Sequence, residues 1–397
     1  MKNWKLEFIR GGAALLVLIC HLVINNLFLK SKIYLNIISN WGTEAVILFF
    51  MLSGVVINLA QKRKYNTRLT FLKNRLLRIY PLYIVGILLA VIVIILLNTE
   101  ILQPYKMIGN LFFVGTLQGY LIEVPSSNPV IWSLTFEMFF YLIYCLSIGK
   151  FKSEFMFIWF GISLFCIPLY YREIMGLIGF LITIVSFSSI WLIGYFIAEY
   201  AYLFKVKSLK VAIIFIALLP AVSRLHISIL YYDVFKYVIF SVCAGPFFLY
   251  CLKDDEAHLN NKFFTITLNH AKMILVLVSL LLILFSNSLF ISKIIYILFP
   301  LSFLIIRIEK VSFYWIIYLK KVSLYLGSIS YVLYIVHFPI LVLINYYTHG
   351  NVLYYLLISI LIIFPCCNFL EFKFQNFIFS LFKNNFLNNE NILKVKK

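Results

Sequence analysis

The sequence predicts an all-α, polytopic transmembrane helix bundle of 10 to 12 spans with both termini cytoplasmic. Three observations carry this prediction. Of 397 residues, 63% are hydrophobic and 12% are charged, and a mean hydropathy of +0.99 leaves too little polar surface to face water. Apolar runs of about 20 residues, the length that crosses the hydrocarbon core of a bilayer, recur from Phe8 to Leu370. The period-2 alternation of an outer-membrane barrel is missing, and in lipid only helices and closed barrels satisfy every backbone polar group.

Taken in order, the predicted spans fall at 8–29, 42–61, 79–98, 130–149, 154–171, 176–199, 208–223, 234–252, 273–288, 293–308, 325–346 and 351–370. Lys2 and Lys5 ahead of the first run suggest a secretory signal, but Arg10 and His21 interrupt its apolar core and no small-x-small site follows, so an uncleaved helix is expected. The connection 99–129 carries Pro104, Pro125, Ser126, Ser127, Asn128 and Pro129 yet is partly apolar, which predicts a segment at the membrane edge. Residues 253–272, with Asp254, Asp255 and Glu256, read as a solvated connector. Past Leu370, Phe372, Phe374, Phe377, Ile378, Phe379, Leu381 and Phe382 are punctuated by Lys373 and Lys383, the pattern of an interfacial helix. Residues 1–370 are therefore expected to form one integral-membrane domain, and 371–397 an amphipathic and polar cytoplasmic tail.

The formal charge is +19, from 34 Lys and Arg against 15 Asp and Glu. Threading the spans with the N-terminus inside places most of the basic residues in cytoplasmic segments, so topology accounts for the charge and no nucleic-acid partner is expected. The densest cluster, Lys62, Arg63, Lys64, Arg68, Lys73, Arg75 and Arg78, fills one inner loop. All seven cysteines lie within or at the ends of apolar runs, none at metal-ligand spacing from a histidine, so neither a disulfide framework nor a metal site is predicted.

Ionisable groups inside spans are the chemical signal, because each costs about 2.5–3.5 kcal/mol to insert at mid-bilayer. On a helix turning 100° per residue, Glu7, Arg10 and His21 project within about 60° of one another. His21 lies about 16 Å beyond Arg10, and a neutral imidazole takes and returns a proton near neutrality, which makes His21 the predicted general base. Glu137, within Trp132-Ser133-Leu134-Thr135-Phe136-Glu137-Met138-Phe139-Phe140-Tyr141, and His337, within Ser330-Tyr331-Val332-Leu333-Tyr334-Ile335-Val336-His337-Phe338-Pro339, fall at a similar depth, each about 18 Å from the inner end of its span against about 20 Å for His21. The two are expected to orient His21 or the acceptor, although His337 beside Pro339 could instead serve the backbone of a kinked helix. Arg75 and Arg78, three residues apart, share a face if that segment is helical and suit a phosphate group.

At these residues the chain resembles the acyltransferase 3 family of integral-membrane acyltransferases. Leu6-Glu7-Phe8-Ile9-Arg10-Gly11 with His21 is similar to that family's opening Arg-x10-His signature. Phe49-Phe50-Met51-Leu52-Ser53-Gly54 resembles its second-helix motif, Arg75 to Pro81 its Arg-x-x-Arg loop, Trp132 to Tyr141 its Trp-Ser-Leu-x-x-Glu helix and Ser330 to Pro339 its late histidine helix. Glu7 stands where Asp is usual, Ile47 at a position often Asp, and Met138 where a second acid is frequent. The resemblance implies transfer of an acetyl or related acyl group from cytoplasmic acyl-coenzyme A, with acetyl-CoA as donor, to a hydroxyl of a cell-surface carbohydrate or lipid-linked glycan. It implies a multi-pass protein of the cell membrane, a bacterial inner membrane. By the same carry-over His21 is the essential catalytic histidine, with Arg10 supporting catalysis, and Arg75, Arg78 and Glu7 serve the donor. A transporter or flippase of a lipid-linked sugar would also bury charges, but the arginines near the inner face suit a phosphorylated donor better than a pump.

Overall fold

A computed structural model describes residues 3–26, 41–63, 67–98, 100–148, 152–170, 174–224, 233–252, 264–285, 290–305 and 313–382. These form thirteen helices: α1 Trp4–Asn25, α2 Gly42–Arg63, α3 Arg68–Leu97, α4 Pro104–Leu111, α5 Trp132–Ser147, α6 Lys152–Tyr170, α7 Gly176–Glu199, α8 Leu209–Ser223, α9 Asp233–Leu252, α10 Leu268–Phe285, α11 Phe290–Ile305, α12 Phe313–Tyr347 and α13 Val352–Asn368. Among the described residues nine helices are long and apolar enough to cross a membrane, whereas α8, α10 and α11 fall below that mark. Every helix but α4 coincides with an expected span. Large apolar side chains such as Leu88, Ile92, Ile95 and Leu96 on α3 and Leu357 and Leu361 on α13 are exposed, as a lipid-facing surface requires.

The departures from expectation have local causes. α3 starts at Arg68, before its apolar run, because the Thr67 hydroxyl accepts a hydrogen bond from the Thr70 amide and the Arg, Lys and Leu residues that follow are good helix formers. The expected basic loop around Arg75 and Arg78 is therefore helix. α12 likewise starts at Phe313, carrying Lys320 and Lys321 on exposed turns. α13 does not stop at Leu370: a π-helical turn, Phe369–Phe374, leads into helix reaching Phe382, so the expected interfacial helix is a continuation of the last span.

The connection 100–131 is folded. It contains α4, two short strands that pair with each other, β1 Gly115–Thr116 and β2 Ile122–Glu123, and a 3-10 turn at Pro129–Ile131. Buried Asn110 pins it, donating to the Lys106 and Glu123 carbonyls while its own carbonyl accepts from the Tyr83 hydroxyl at 2.7 Å. A second short pairing joins β3 Phe204–Val206 to β4 Phe264–Ile266. These strands were not expected in an all-α chain; they give connector backbone the partners that helices supply elsewhere. Residues 253–263 of the predicted connector and 383–397 of the tail lie outside the described residues.

The chain divides into two compact units. The first comprises Met1–Arg10, Glu44–Tyr65 and Ser147–Leu324. At the crossing of α2 and α7 backbones meet through reciprocal glycines: a Cβ at Gly54 would stand 2.1 Å from the Trp191 carbonyl oxygen, and one at Gly194 would stand 2.0 Å from that of Met51. Small residues allow this approach, which replaces the missing hydrophobic drive between helices in lipid by close packing. Trp191 stacks on Trp159 at 5.4 Å, and their indoles donate to Ser53 and Ser188. Gly54→Val should therefore force the helices apart and destabilise the protein by about 3 kcal/mol, the upper range for overpacking, read as a lower midpoint of thermal unfolding in detergent. An unchanged midpoint would show that the crossing yields freely.

The second unit comprises Gly11–Thr43, Asn66–Leu146 and Tyr325–Lys397. It assembles most of α1 with α3, α5, the later turns of α12 and α13 around buried Cys20, Tyr83, Phe136, Phe140, Val332, Ile335 and Leu341.

Candidate functional site

In the second unit α1 and α12 approach closely at Gly11, where a Cβ would lie 2.6 Å from that of Leu326. Further along the same pair of helices the two intramembrane histidines meet. His21 Nδ1 lies 2.8 Å from His337 Nε2, the rings are 5.1 Å apart and 19° from parallel, and Phe338 closes edge-on against His21 at 5.0 Å. His337 is 0% exposed, whereas His21 is only half-buried, so of the two only His21 has exposed surface.

The protons of this pair follow from its third partner. His337 Nδ1 lies 2.8 Å from the Leu333 carbonyl oxygen. A carbonyl can only accept, so Nδ1 carries the hydrogen, and in a neutral ring Nε2 is then the acceptor. That acceptor faces His21 Nδ1, which must donate. The free lone pair of His21 is left on Nε2. His337 thus serves the helix backbone and holds its neighbour at once, and the two expectations for it are compatible.

The helix turn bearing His337 is held from outside. Pro339 has no amide hydrogen, so the Ile335 carbonyl loses its partner four residues on. Fully buried Asn128 replaces it, its Nδ2 donating to Ile335 O and to Gly86 O, each at 3.1 Å. One turn before His337, the Tyr334 hydroxyl donates to Val130 O at 2.8 Å and lies 2.8 Å from the Ser133 hydroxyl.

Glu137 is not in the histidine pair. Its carboxylate accepts from the Tyr141 hydroxyl one turn along α5. Arg75 stacks over the rings of Phe71 and Tyr141, 5.6 Å from each, with its buried Nε unpartnered. Among the described residues neither Arg75 nor Arg78 forms an ion pair, and Arg78 is exposed. Two guanidiniums on one face of α3 thus remain open to an anion.

Arg10 and Glu7, by contrast, engage each other. Arg10 Nη1 lies 2.8 and 2.9 Å from the two Glu7 carboxylate oxygens. The guanidinium is turned one turn back along α1, while His21 stands about 16 Å further on along that helix. Both residues belong to the first unit. The structure brings together His21 and His337, Glu137 with the arginine face through Tyr141, and Arg10 with Glu7. Sequence reasoning missed Asn128, Ser133, Tyr334 and Tyr331. The signal for Asn128 was Pro339, which requires some donor for the carbonyl four residues earlier.

Residues 3–261 match the model of a family described as an acyltransferase domain, the acyltransferase 3 family. The matched stretch includes His21, Arg75, Arg78 and Glu137, and it ends before α12 and His337. Acyltransferase MdmB of Streptomyces mycarofaciens is 31% identical over 149 residues. That alignment covers 35% of this chain and 38% of the relative, so the chain spans well under half the length of that protein. No solved structure matches. With helices suited to crossing a membrane and a family match from the first helix to beyond the ninth, the chain belongs to the acyltransferase 3 family of integral-membrane proteins.

Proposed function

We propose that the protein is a membrane-embedded O-acyltransferase that moves an acetyl group from acetyl-CoA to a hydroxyl of a cell-surface carbohydrate or lipid-linked glycan. The observation that carries this reading is the His21–His337 contact, 2.8 Å between ring nitrogens, whose hydrogen-bond polarity leaves a free lone pair on the partly exposed ring.

His21 Nε2 takes the proton of the acceptor hydroxyl as its oxygen attacks the thioester carbonyl. The imidazolium formed donates through Nδ1 to His337 Nε2, which spreads the charge inside a low-dielectric interior. The tetrahedral intermediate then collapses, the carbon–sulfur bond breaks, and His21 Nε2 returns its proton to the departing coenzyme A thiolate. Arg75 and Arg78 hold the phosphates of the donor, and Glu137, through Tyr141, orders the polar face on which the acceptor hydroxyl is presented. Arg10 with Glu7 supports the inner end of α1. The positive-inside distribution of Lys and Arg supports cytoplasmic termini with the arginines on the donor side; with them go 10 to 12 crossings, a 1–370 catalytic domain with a 371–397 tail, and a place in a bacterial inner membrane.

Purified full-length protein incubated with radiolabelled acetyl-CoA and surface glycan should show transfer of label to glycan. Coenzyme A should raise the unfolding temperature, because a ligand that binds only the folded form stabilises it. Arg75→Ala combined with Arg78→Ala should raise the donor KM about 30-fold, taking roughly 1 kcal/mol for each bond lost at a solvated site, with kcat nearly unchanged. A donor KM that is indifferent to both arginines would place the phosphates elsewhere.

A further inference from the structure

The buried stripe of α13 runs through Ser359, Ile363, Cys367 and Leu370 at helical spacing and then skips to Gln375. The five-residue step is the signature of the π-helical turn Phe369–Phe374. In an uninterrupted α-helix the next inward position would be Phe374. The extra residue turns Gln375 inward instead, where it is 4% exposed, and its Nε2 donates to Leu77 O at 3.0 Å and Arg78 O at 3.3 Å. Leu77 is four residues before Pro81, which lies inside α3 and has no amide hydrogen to give. A carbonyl orphaned by a proline and a side-chain amide delivered by a π-turn therefore meet on the turn that carries Arg78.

The adjoining carbonyl of this turn is held as well: the Tyr331 hydroxyl of α12 donates to Ile79 O at 2.8 Å. Three successive carbonyls, those of Leu77, Arg78 and Ile79, thus receive side-chain donors from α12 and the end of α13. Such a turn is fixed, and a fixed turn spares an arginine on it part of the ordering cost when it grips an anion.

We propose that Gln375 is a positioning residue for the donor site: the π-turn after α13 exists to clasp the turn before Pro81 and hold the Arg75–Arg78 face in register. The proposal rests on the donor reading given above for those arginines. It makes Pro81 and Gln375 a coupled pair, since an amide hydrogen at position 81 would render the glutamine redundant.

The test is a double-mutant cycle in the full-length protein with Gln375→Leu, Pro81→Ala and both together. With acetyl-CoA, Gln375→Leu should raise the donor KM about tenfold, the effect of one lost buried hydrogen bond, with kcat within about twofold. The same change made on the Pro81→Ala background should alter KM by less than about twofold, because Leu77 O again has a backbone partner. An equal effect on both backgrounds, or a fall in kcat with KM unmoved, would overturn the proposal. Amide hydrogen exchange over residues 70–82 reads the clasp without reference to any donor: it should quicken in Gln375→Leu alone and not in the double variant. If Gln375→Leu fails to fold, the double variant should fold, and its failure too would count against the clasp. Loss of coenzyme A binding by the unaltered protein would strike the donor reading, whereas unchanged exchange in Gln375→Leu would strike the clasp.

Discussion

Replacing His21 with alanine is expected to lower acyl transfer by about 10²–10⁴-fold, the usual contribution of a positioned general base, while coenzyme A continues to raise the unfolding temperature. The ring is the half-buried member of the pair, so its removal leaves a modest void on α1 and the packed neighbours Cys20 and Val17 stay in place. The kinetic loss should fall on kcat, because the donor phosphates are assigned to α3. Initial rates with radiolabelled acetyl-CoA decide the matter, and full activity in His21→Ala would remove the base from the mechanism. Exogenous imidazole gives a second reading: it should restore part of the rate if the vacated site remains open to solvent or substrate.

His337→Leu is expected to reduce kcat by a comparable factor although no substrate touches this residue. The bond between His337 Nδ1 and Leu333 O determines which nitrogen of His337 accepts, and hence which nitrogen of His21 is free. With leucine the His21 ring keeps its place by packing against Phe338, but nothing directs its proton to Nδ1, and the loss of the orienting partner of a catalytic imidazole is worth up to about 10⁴ in rate. His337→Gln should recover part of that loss, since an amide oxygen can accept from Nδ1. A merely structural role predicts the opposite order, with the apolar leucine tolerated best at a position that is 0% exposed. Comparing kcat for the two variants, each checked for an unchanged response to coenzyme A, separates the roles.

The candidate site was legible in part. His21, Glu137 and His337 were singled out because a charge or imidazole in an apolar run has to be balanced by something, and their similar depths suggested a common level. Depth along three helices does not determine which helices touch, and the structure pairs His21 with His337 while giving Glu137 to Tyr141. Glu7 and Arg10 shared a stripe with His21, but stripe membership says nothing about side-chain direction; the short i, i+3 ion pair takes precedence over a residue eleven positions away. Asn128 and Gln375 left no mark in hydropathy because each is a single amide in a connecting or apolar segment. Their meaning depends on a proline more than two hundred positions away in sequence in one case and nearly three hundred in the other.

By itself the sequence determined that the chain is helical, where its long apolar segments lie, and which ionisable groups fall inside them. These are local or additive properties, set by transfer energy and helical periodicity along one segment at a time. Only the tertiary structure decided that two imidazoles share a proton, that Asn128 reaches the carbonyl freed by Pro339, and that the last described helix shifts register to reach the turn before Pro81. Those outcomes depend on which carbonyls and ring nitrogens meet in space, and hydrogen-bond direction is a property of a contact, absent from any single segment of chain.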